Sequence, residues 1–341
     1  MKLITFRTAF KKEEHFGIVI GNIAIPFDTI QKSAKNDKKQ KEIANIYLYI
    51  KYFPESERVA KIFDSFAKEN IEIFDDEDFF LLSDVKTLPP IANPPAFIDF
   101  GLTPRHLYNS AMTLLQHEYG IIVKNLAKPF IKIKIKKLSN SAILPYYKCN
   151  HNSIIGDMDT VGWPSYSSYL DIEPELAIIT GTASNPILGY TIFNDMSARD
   201  VQLPEMIGTG PARCKDFDYS NGIGPFIITP DEIGNPLDLK VNVRIGDRYI
   251  FEGNTSEYSE KPENVVKFLN TVFTLHPGTI IGMGTIPECT GLDNNLWLYP
   301  DDKIEINFEK IGTLKQIIPS KIERNKNMRW TSRPELEKFY L

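Results

Sequence analysis

From Ala96 to near its end, the chain is broken by turn signals roughly every ten residues and offers few helical runs, a rhythm that suits a domain dominated by β-strands. Two stretches depart from it, with helical periodicity from about Pro104 to Glu118 and again from Glu263 to Thr274. The segment Phe130–Leu138, FIKIKIKKL, alternates apolar and basic residues at period two, which predicts a half-exposed strand whose lysines guard a sheet edge. Ahead of Ala96 the pattern changes. Residues 1–28 hold the short apolar groups LITF, FGIVIG and IAIPF, read as two or three strands joined by a charged turn. From Asp37 to Asn70 apolar residues recur at helical spacing, giving two helices split at Phe53-Pro54-Glu55. Four prolines in LPPIANPP, Leu88–Pro95, mark an extended crossing between domains. At 341 residues the chain exceeds one minimal core. The expected organisation is α+β, mainly β: a smaller N-terminal α+β domain over 1–90, a larger domain over 91–318, and a tail over 319–341 packing on it.

Composition excludes partners rather than naming one. A net charge of −5 gives no reason to expect nucleic acid. No run reaches the roughly 18 apolar residues of a membrane span, and the N-terminal stretch lacks an apolar export core. The three cysteines, Cys149, Cys214 and Cys289, show no metal-knuckle or redox spacing and read as reduced thiols. The expectation is a cytoplasmic protein without membrane or nucleic-acid partners.

Chemistry concentrates between Ser168 and Gln202. In SYLDIEPELAIITG, Glu173 and Glu175 flank a proline and run into an apolar strand. Two residues apart on a strand means one face, and two carboxylates facing the same way repel unless a cation lies between them. The same spacing also describes two solvated glutamates. The next strand, ILGYTIFNDMSARDVQ, delivers Asn194 and Asp195 where its apolar run ends, a corner suited to a ligand and equally to a turn cap.

The block GYTIFNDMSARDVQ resembles the G-Y-T-x-x-N-D-x-S-A-R-D-x-Q signature of the fumarylacetoacetate hydrolase family, and other blocks follow in the family's order. PAFIDFGLTPRHLYNS is similar to its D-F…H segment, YLDIEPELAIITG to its E-x-E strand, and GPARCKDFDYSNGIGPFIITPDEI to its lysine block. HPGTIIGMGTI and KIEINFEKIGTLKQ are similar to its closing strands, so the resemblance covers residues 91 to 318. It implies a mixed β-roll or sandwich catalytic domain. Glu173, Glu175 and Asp195 would be metal ligands, with Asp99 a fourth that only some members use; oxygen donors of this kind favour Mg²⁺, Mn²⁺ or Ca²⁺. His106 would activate water and Lys215 would meet developing negative charge. Where the family orients its histidine with a glutamate, GTIPECTGLDNNLW places Asp293, one methylene shorter, with Glu288 nearby. Arg199, Gln202 and Tyr147 would contact substrate, Arg199 having the alternative of pairing with Asp200 or another acid. The position after D-F, a tyrosine in the family, is Gly101.

The implied activity is metal-dependent hydrolysis of a carbon–carbon bond in a small 1,3-dicarbonyl or acylpyruvate-type oxo-acid through a metal-stabilised enolate. Two alternatives stand beside it: an isomerase, tautomerase, hydratase or decarboxylase of a 2-oxo acid, and a non-catalytic binding protein of the same fold. A carboxylate within reach of His106 favours hydrolysis. The resemblance also implies a homodimer.

Overall fold

The computed structural model describes residues 1–8, 13–35, 40–141, 143–326 and 329–341. The charged turn at Ala9–Lys12 and the start of the helical region at Asp37 lie outside these. The chain opens with the antiparallel strands β1 (Lys2–Thr8), β2 (Glu14–Ile20) and β3 (Ile23–Pro26), followed by the helices α1 (Phe27–Ser33), α2 (Ile46–Lys51) and α3 (Glu55–Glu69). The break between α2 and α3 falls at the predicted Phe53-Pro54-Glu55, where proline cannot donate into a continuing helix. Leu88–Pro95 forms neither helix nor strand.

Beyond that crossing come β4 (Phe97–Phe100), α4 (Pro104–Ser139), β5 (Tyr146–Lys148), β6 (Pro174–Thr180), β7 (Ile187–Asp195), α5 (Gln202–Gly208) and β8 (Asn221–Ile228). They are followed by β9 (Lys240–Ile245), β10 (Tyr249–Asn254), α6 (Pro262–Val272), β11 (Ile280–Thr285), α7 (Gly291–Asn294), β12 (Lys303–Phe308) and β13 (Gly312–Ile317). The large sheet runs in the order β3-β2-β1-β8-β7-β6-β11-β4-β5, with the short strand Phe80–Leu81 beyond β3. The N-terminal strands therefore join the same hydrogen-bonded sheet as the strands that bear the acids, through β1 paired with β8. A second sheet, β10-β9-β12-β13, ends on Asp159–Thr160.

Strand composition explains the layering. Every residue of β6, β7 and β11 is buried, as expected of strands covered on both faces. On one face Leu176, Ile178 and Ile192 pack with Val241, Val243, Ile304 and Ile306 of the second sheet. On the other, Ala177, Ile179 and Phe193 pack with Phe27, Tyr49 and Phe63 of the N-terminal helices. β9 and β12, half covered, alternate buried and more exposed residues at period two. This mixed α+β, sheet-rich architecture is the predicted fold class.

One expectation fails. Phe130–Leu138 is not a strand but the last part of α4, which turns at Gly120 (φ 84°, ψ 172°) and continues as helix to Ser139. The nine-residue alternation was short enough to mimic period two. From Ile121 onward, however, Lys124, Ala127, Ile131, Ile135 and Leu138 are the partly covered positions, at the three- and four-residue spacing of a helix face. Outside that face, Ile122, Leu126, Phe130 and Ile133 are each about 70% exposed.

The two environments predict opposite mutational outcomes. Ile178→Ala, at a fully covered site between layers, is expected to lower unfolding free energy by about 2–5 kcal/mol. Ile122→Ala should change it by less than about 0.5 kcal/mol. Chemical denaturation of both variants checks this.

Candidate active site and cation pocket

Three strands of the adjacent run β7-β6-β11-β4 bring acids together in the large sheet. Asp99 lies on β4, opposite Gly282 of the parallel β11; Glu175 opens β6; Asp195 closes β7. Asp99, Glu175 and Asp195 each bring a carboxylate oxygen within 4.8 Å of the other two, and all are buried. Gly282 makes this approach feasible, because a Cβ there would lie 2.4 Å from Asp99 Oδ1 and 2.7 Å from Glu175 Oε2. Glu175 is held by the Gly284 amide (2.8 Å) and by the Thr285 hydroxyl (3.2 Å).

Glu173 stands outside that group. Its two oxygens take Lys215 Nζ and Arg199 Nη1, each at 2.5 Å, while its amide donates to Asn194 Oδ1 at 3.0 Å. Lys215 Nζ also reaches Asp195 Oδ2 at 2.5 Å, and the Tyr147 hydroxyl donates to the same oxygen at 2.5 Å. Arg199 is fully buried. Its Nε and Nη2 donate to Asp171 (2.9 and 2.8 Å) and its Nη1 to Gln202 (3.0 Å). It does not line the cavity, and Asp200 is occupied instead by Ser167 and the Ser168 amide.

His106 occupies the first turn of α4. Its Nδ1 lies 3.0 Å from Asp293 Oδ1, its Nε2 3.0 Å from Ser110 Oγ and 3.6 Å from Glu173 Oε1. The 3.0 Å approach to Asp293 is an ion-pair contact rather than an aligned hydrogen bond, since Oδ1 receives no directed donor. Asp293 Oδ2 accepts from the Glu288 amide at 2.8 Å. Glu288 itself turns outward to Arg105.

Sequence reasoning missed Asp171, which ties the parts together. Besides holding Arg199 it accepts the amides of Gly291 (2.7 Å) and Leu292 (2.8 Å), the start of the turn that carries Asp293. The signal was present, since D-I-E-P-E places three acids at alternate positions. Ser110, one helical turn after His106, and Gly282 were missed too.

A cavity of about 230 Å³ opens on this cluster, lined by Asp99, His106, Tyr147, Glu173, Glu175, Gln202 and Lys215 at its polar end. Its electrostatics are those of a site built around positive charge. Burial and the nearby Asp195 and Glu173 push Asp99 up to about 8, although a hydrogen bond to Glu175 opposes this. Burial together with Asp99 raises Glu175 well above the carboxylate range. Burial alone would raise Glu173, but Arg199 and Lys215 outweigh it and hold that carboxyl well below its usual range. Burial would favour a neutral His106, yet Asp293 and then Glu173 outweigh it and lift the imidazole to about 9.

Asp99 Oδ1 and Asp195 Oδ1 are buried with no hydrogen-bond donor. Orphaned hard oxygens at this spacing fit a divalent cation such as Mg²⁺ or Mn²⁺. Because Asp99 and Glu175 keep protons at pH values where free carboxylates have lost them, a cation must displace those protons, so its affinity should rise with pH up to and beyond about 8. Calorimetry of Mn²⁺ binding in buffers of different ionisation enthalpy should register proton release that shrinks toward alkaline pH. Gly282→Ala, which drives a methyl group into both carboxylates, should weaken binding at least about tenfold, the loss typical of disturbing a ligand's surroundings.

Residues 123–318 match the family described as fumarylacetoacetate (FAA) hydrolase C-terminal. A 2-dehydro-3-deoxy-D-arabinonate dehydratase of Saccharolobus solfataricus is 31% identical over 253 residues, 72% of this chain and 78% of that protein. An uncharacterized Archaeoglobus fulgidus protein is 34% identical over 172 residues, 48% of this chain; the matched region spans 64% of that relative's length. The crystal structure of maleylpyruvate hydrolase from Sphingobium sp. SYK-6, in complex with manganese (II) ion and pyruvate, superposes with a TM-score of 0.62 at 20% identity, covering 94% of this chain and 99% of that one.

Proposed function

The chain belongs to the fumarylacetoacetate hydrolase family, and from that footing we propose that it is a divalent-cation-dependent hydrolase cleaving a carbon–carbon bond in a small acylpyruvate-type oxo-acid. The observation that carries this reading is the carboxylate of Asp293 beside His106, 3.0 Å from Nδ1. A carboxylate there holds the imidazole in one orientation, leaving Nε2 toward the cavity to take a proton from water.

Asp99, Glu175 and Asp195, with Glu173 alongside, would hold Mg²⁺ or Mn²⁺. A cation so held supplies Lewis acidity that polarises the oxygens of a bound oxo-acid. His106 Nε2 accepts the proton as the water oxygen adds to the distal carbonyl. The carbon–carbon bond then breaks with its electron pair on the oxo-acid fragment, and the imidazolium returns the proton to that carbon, leaving a 2-oxo acid and a carboxylic acid. Lys215, kept charged by Asp195 and Glu173 against the opposing effect of burial, offers positive charge to the developing oxyanion. Tyr147 and Gln202 line the cavity and would contact the substrate. The manganese and pyruvate of the Sphingobium hydrolase support the same class of ligand.

The Saccharolobus relative favours a second reading, a dehydratase or isomerase of a 2-oxo acid in which His106 moves a proton without water attack. Products separate the two, because only hydrolysis yields two acids from an acylpyruvate. A cytoplasmic homodimer, with the site carried by residues 91–318 between the N-terminal unit and the tail, is part of the same proposal. No described helix is long and apolar enough to cross a membrane.

With Mn²⁺ and a panel of acylpyruvates, His106→Ala should lower kcat by about 10²- to 10⁴-fold, and Glu175→Gln or a chelator should abolish turnover. Turnover indifferent to both would exclude the cation mechanism. The base must be unprotonated, so activity should rise with pH through the elevated titration of His106. Asp293→Asn removes the main group holding that proton and should shift the rising limb to lower pH while reducing kcat.

A further inference from the structure

The cavity is divided in chemistry, and the division speaks to the far end of the substrate. At its inner end are Asp99, Glu173 and Glu175, with Asp195 fully buried behind them. The lysine there, Lys215, is already shared between Glu173 and Asp195. Arg199, the other cation close by, is enclosed by Asp171 and Glu173. Most of the remaining wall is apolar, formed by Phe100, Leu107, Leu114, Leu203, Met206 and Pro211. The neutral polar lining residues Ser110, Tyr147, Gln202 and Thr285 carry no charge, and Arg105, next to His106 in sequence, turns away to Glu257 and Glu288. Among the described lining residues the two cations, Lys215 and His106, are already paired with carboxylates, and the apolar wall offers an anion no partner.

We infer that the substrate is a monocarboxylate: a 2-oxo acid whose single carboxylate lies at the acidic, cation-holding end and whose acyl tail is uncharged and apolar. The inference rests on the proposed function, which puts the oxo-acid head at the cation. Three carboxylates at the inner end plus the buried Asp195, offset by one lysine and a divalent cation, leave the head region negative by one charge, with the Arg199–Asp171 and His106–Asp293 pairs neutral. A second carboxylate on the substrate would add to that charge and would be desolvated against leucine and methionine with no partner, the costliest arrangement for a buried ion. An alkyl tail instead removes apolar wall from water. Met206, half exposed on α5 at the cavity mouth, and Leu203, one turn before it, set this preference.

The test is calorimetric titration of the Mn²⁺-loaded protein with 4-methyl-2-oxopentanoate and with 2-oxoglutarate, two 2-oxo acids of the same main-chain length that differ in the tail. It is paired with turnover of alkyl-tailed and carboxylate-tailed acylpyruvates. The expected result is tighter binding and higher kcat/KM for the apolar-tailed member of each pair by at least about tenfold, the scale of a buried unpaired polar group. Met206→Arg should erase or invert that ratio. Equal or better binding of 2-oxoglutarate by the unaltered protein would overturn the inference and leave the proposed hydrolase intact. If neither acid binds and no acylpyruvate is turned over, the proposed function fails and takes this inference with it.

Discussion

Four buried carboxylates close together are the constraint to which the rest of this protein answers. Asp99, Glu173, Glu175 and Asp195 are each no more than 6% exposed. Left alone, such a group relieves its repulsion by holding protons, and Asp99 and Glu175 do. Glu173 takes another course, drawing Lys215 and Arg199 to itself and remaining ionised. One half of the cluster is thus compensated by the chain's own cations and the other half has compensation missing. That imbalance gives the family's divalent cation its place: it supplies what the polypeptide withholds.

The fold serves this constraint by rigidity. The acids sit at the ends of strands covered on both faces, one face against the second sheet and the other against the N-terminal helices. Interiors of that kind are close-packed, resist compression and tolerate small displacements poorly. The N-terminal strands contribute no acid to the site, yet β1 pairs with β8, which in turn pairs with the strand ending in Asp195. The first residues of the chain are therefore part of what holds the cluster in register.

Much of this was legible in the sequence because it depends on local spacing. The E-x-E strand, the N-D corner after an apolar run, and His106 just inside a helix opened by proline are all short-range patterns, and the structure brings Glu173, Glu175 and His106 to one cavity with Asp195 buried behind it. Less legible was what depends on contacts between distant residues. The separate orientations of Glu173 and Glu175 come from Arg199 and Lys215 on one side and from Thr285 and the Gly284 amide on the other. Neither set is visible in the glutamates' own neighbourhood. Gly282 reads in sequence as one glycine among twenty, and only the pairing of β11 with β4 and β6 reveals the two carboxylates it accommodates. The segment Phe130–Leu138 misled for the opposite reason: its local alternation was real, but among the described residues no strand pairs with it.

Asp171 gives the site a property its parts would not have separately. One carboxylate fixes both the guanidinium that sets the charge on Glu173 and the backbone turn that presents Asp293 to His106. Cation handling and proton handling are consequently not independent modules. Exchange of the Thr290–Asn295 turn for one from a relative with different chemistry would disturb Arg199 and, through it, the ionisation of Glu173. Divergence of reaction type in a chain built this way has to proceed by coordinated change at both ends of that carboxylate, which confines the accessible evolutionary steps to few and paired ones.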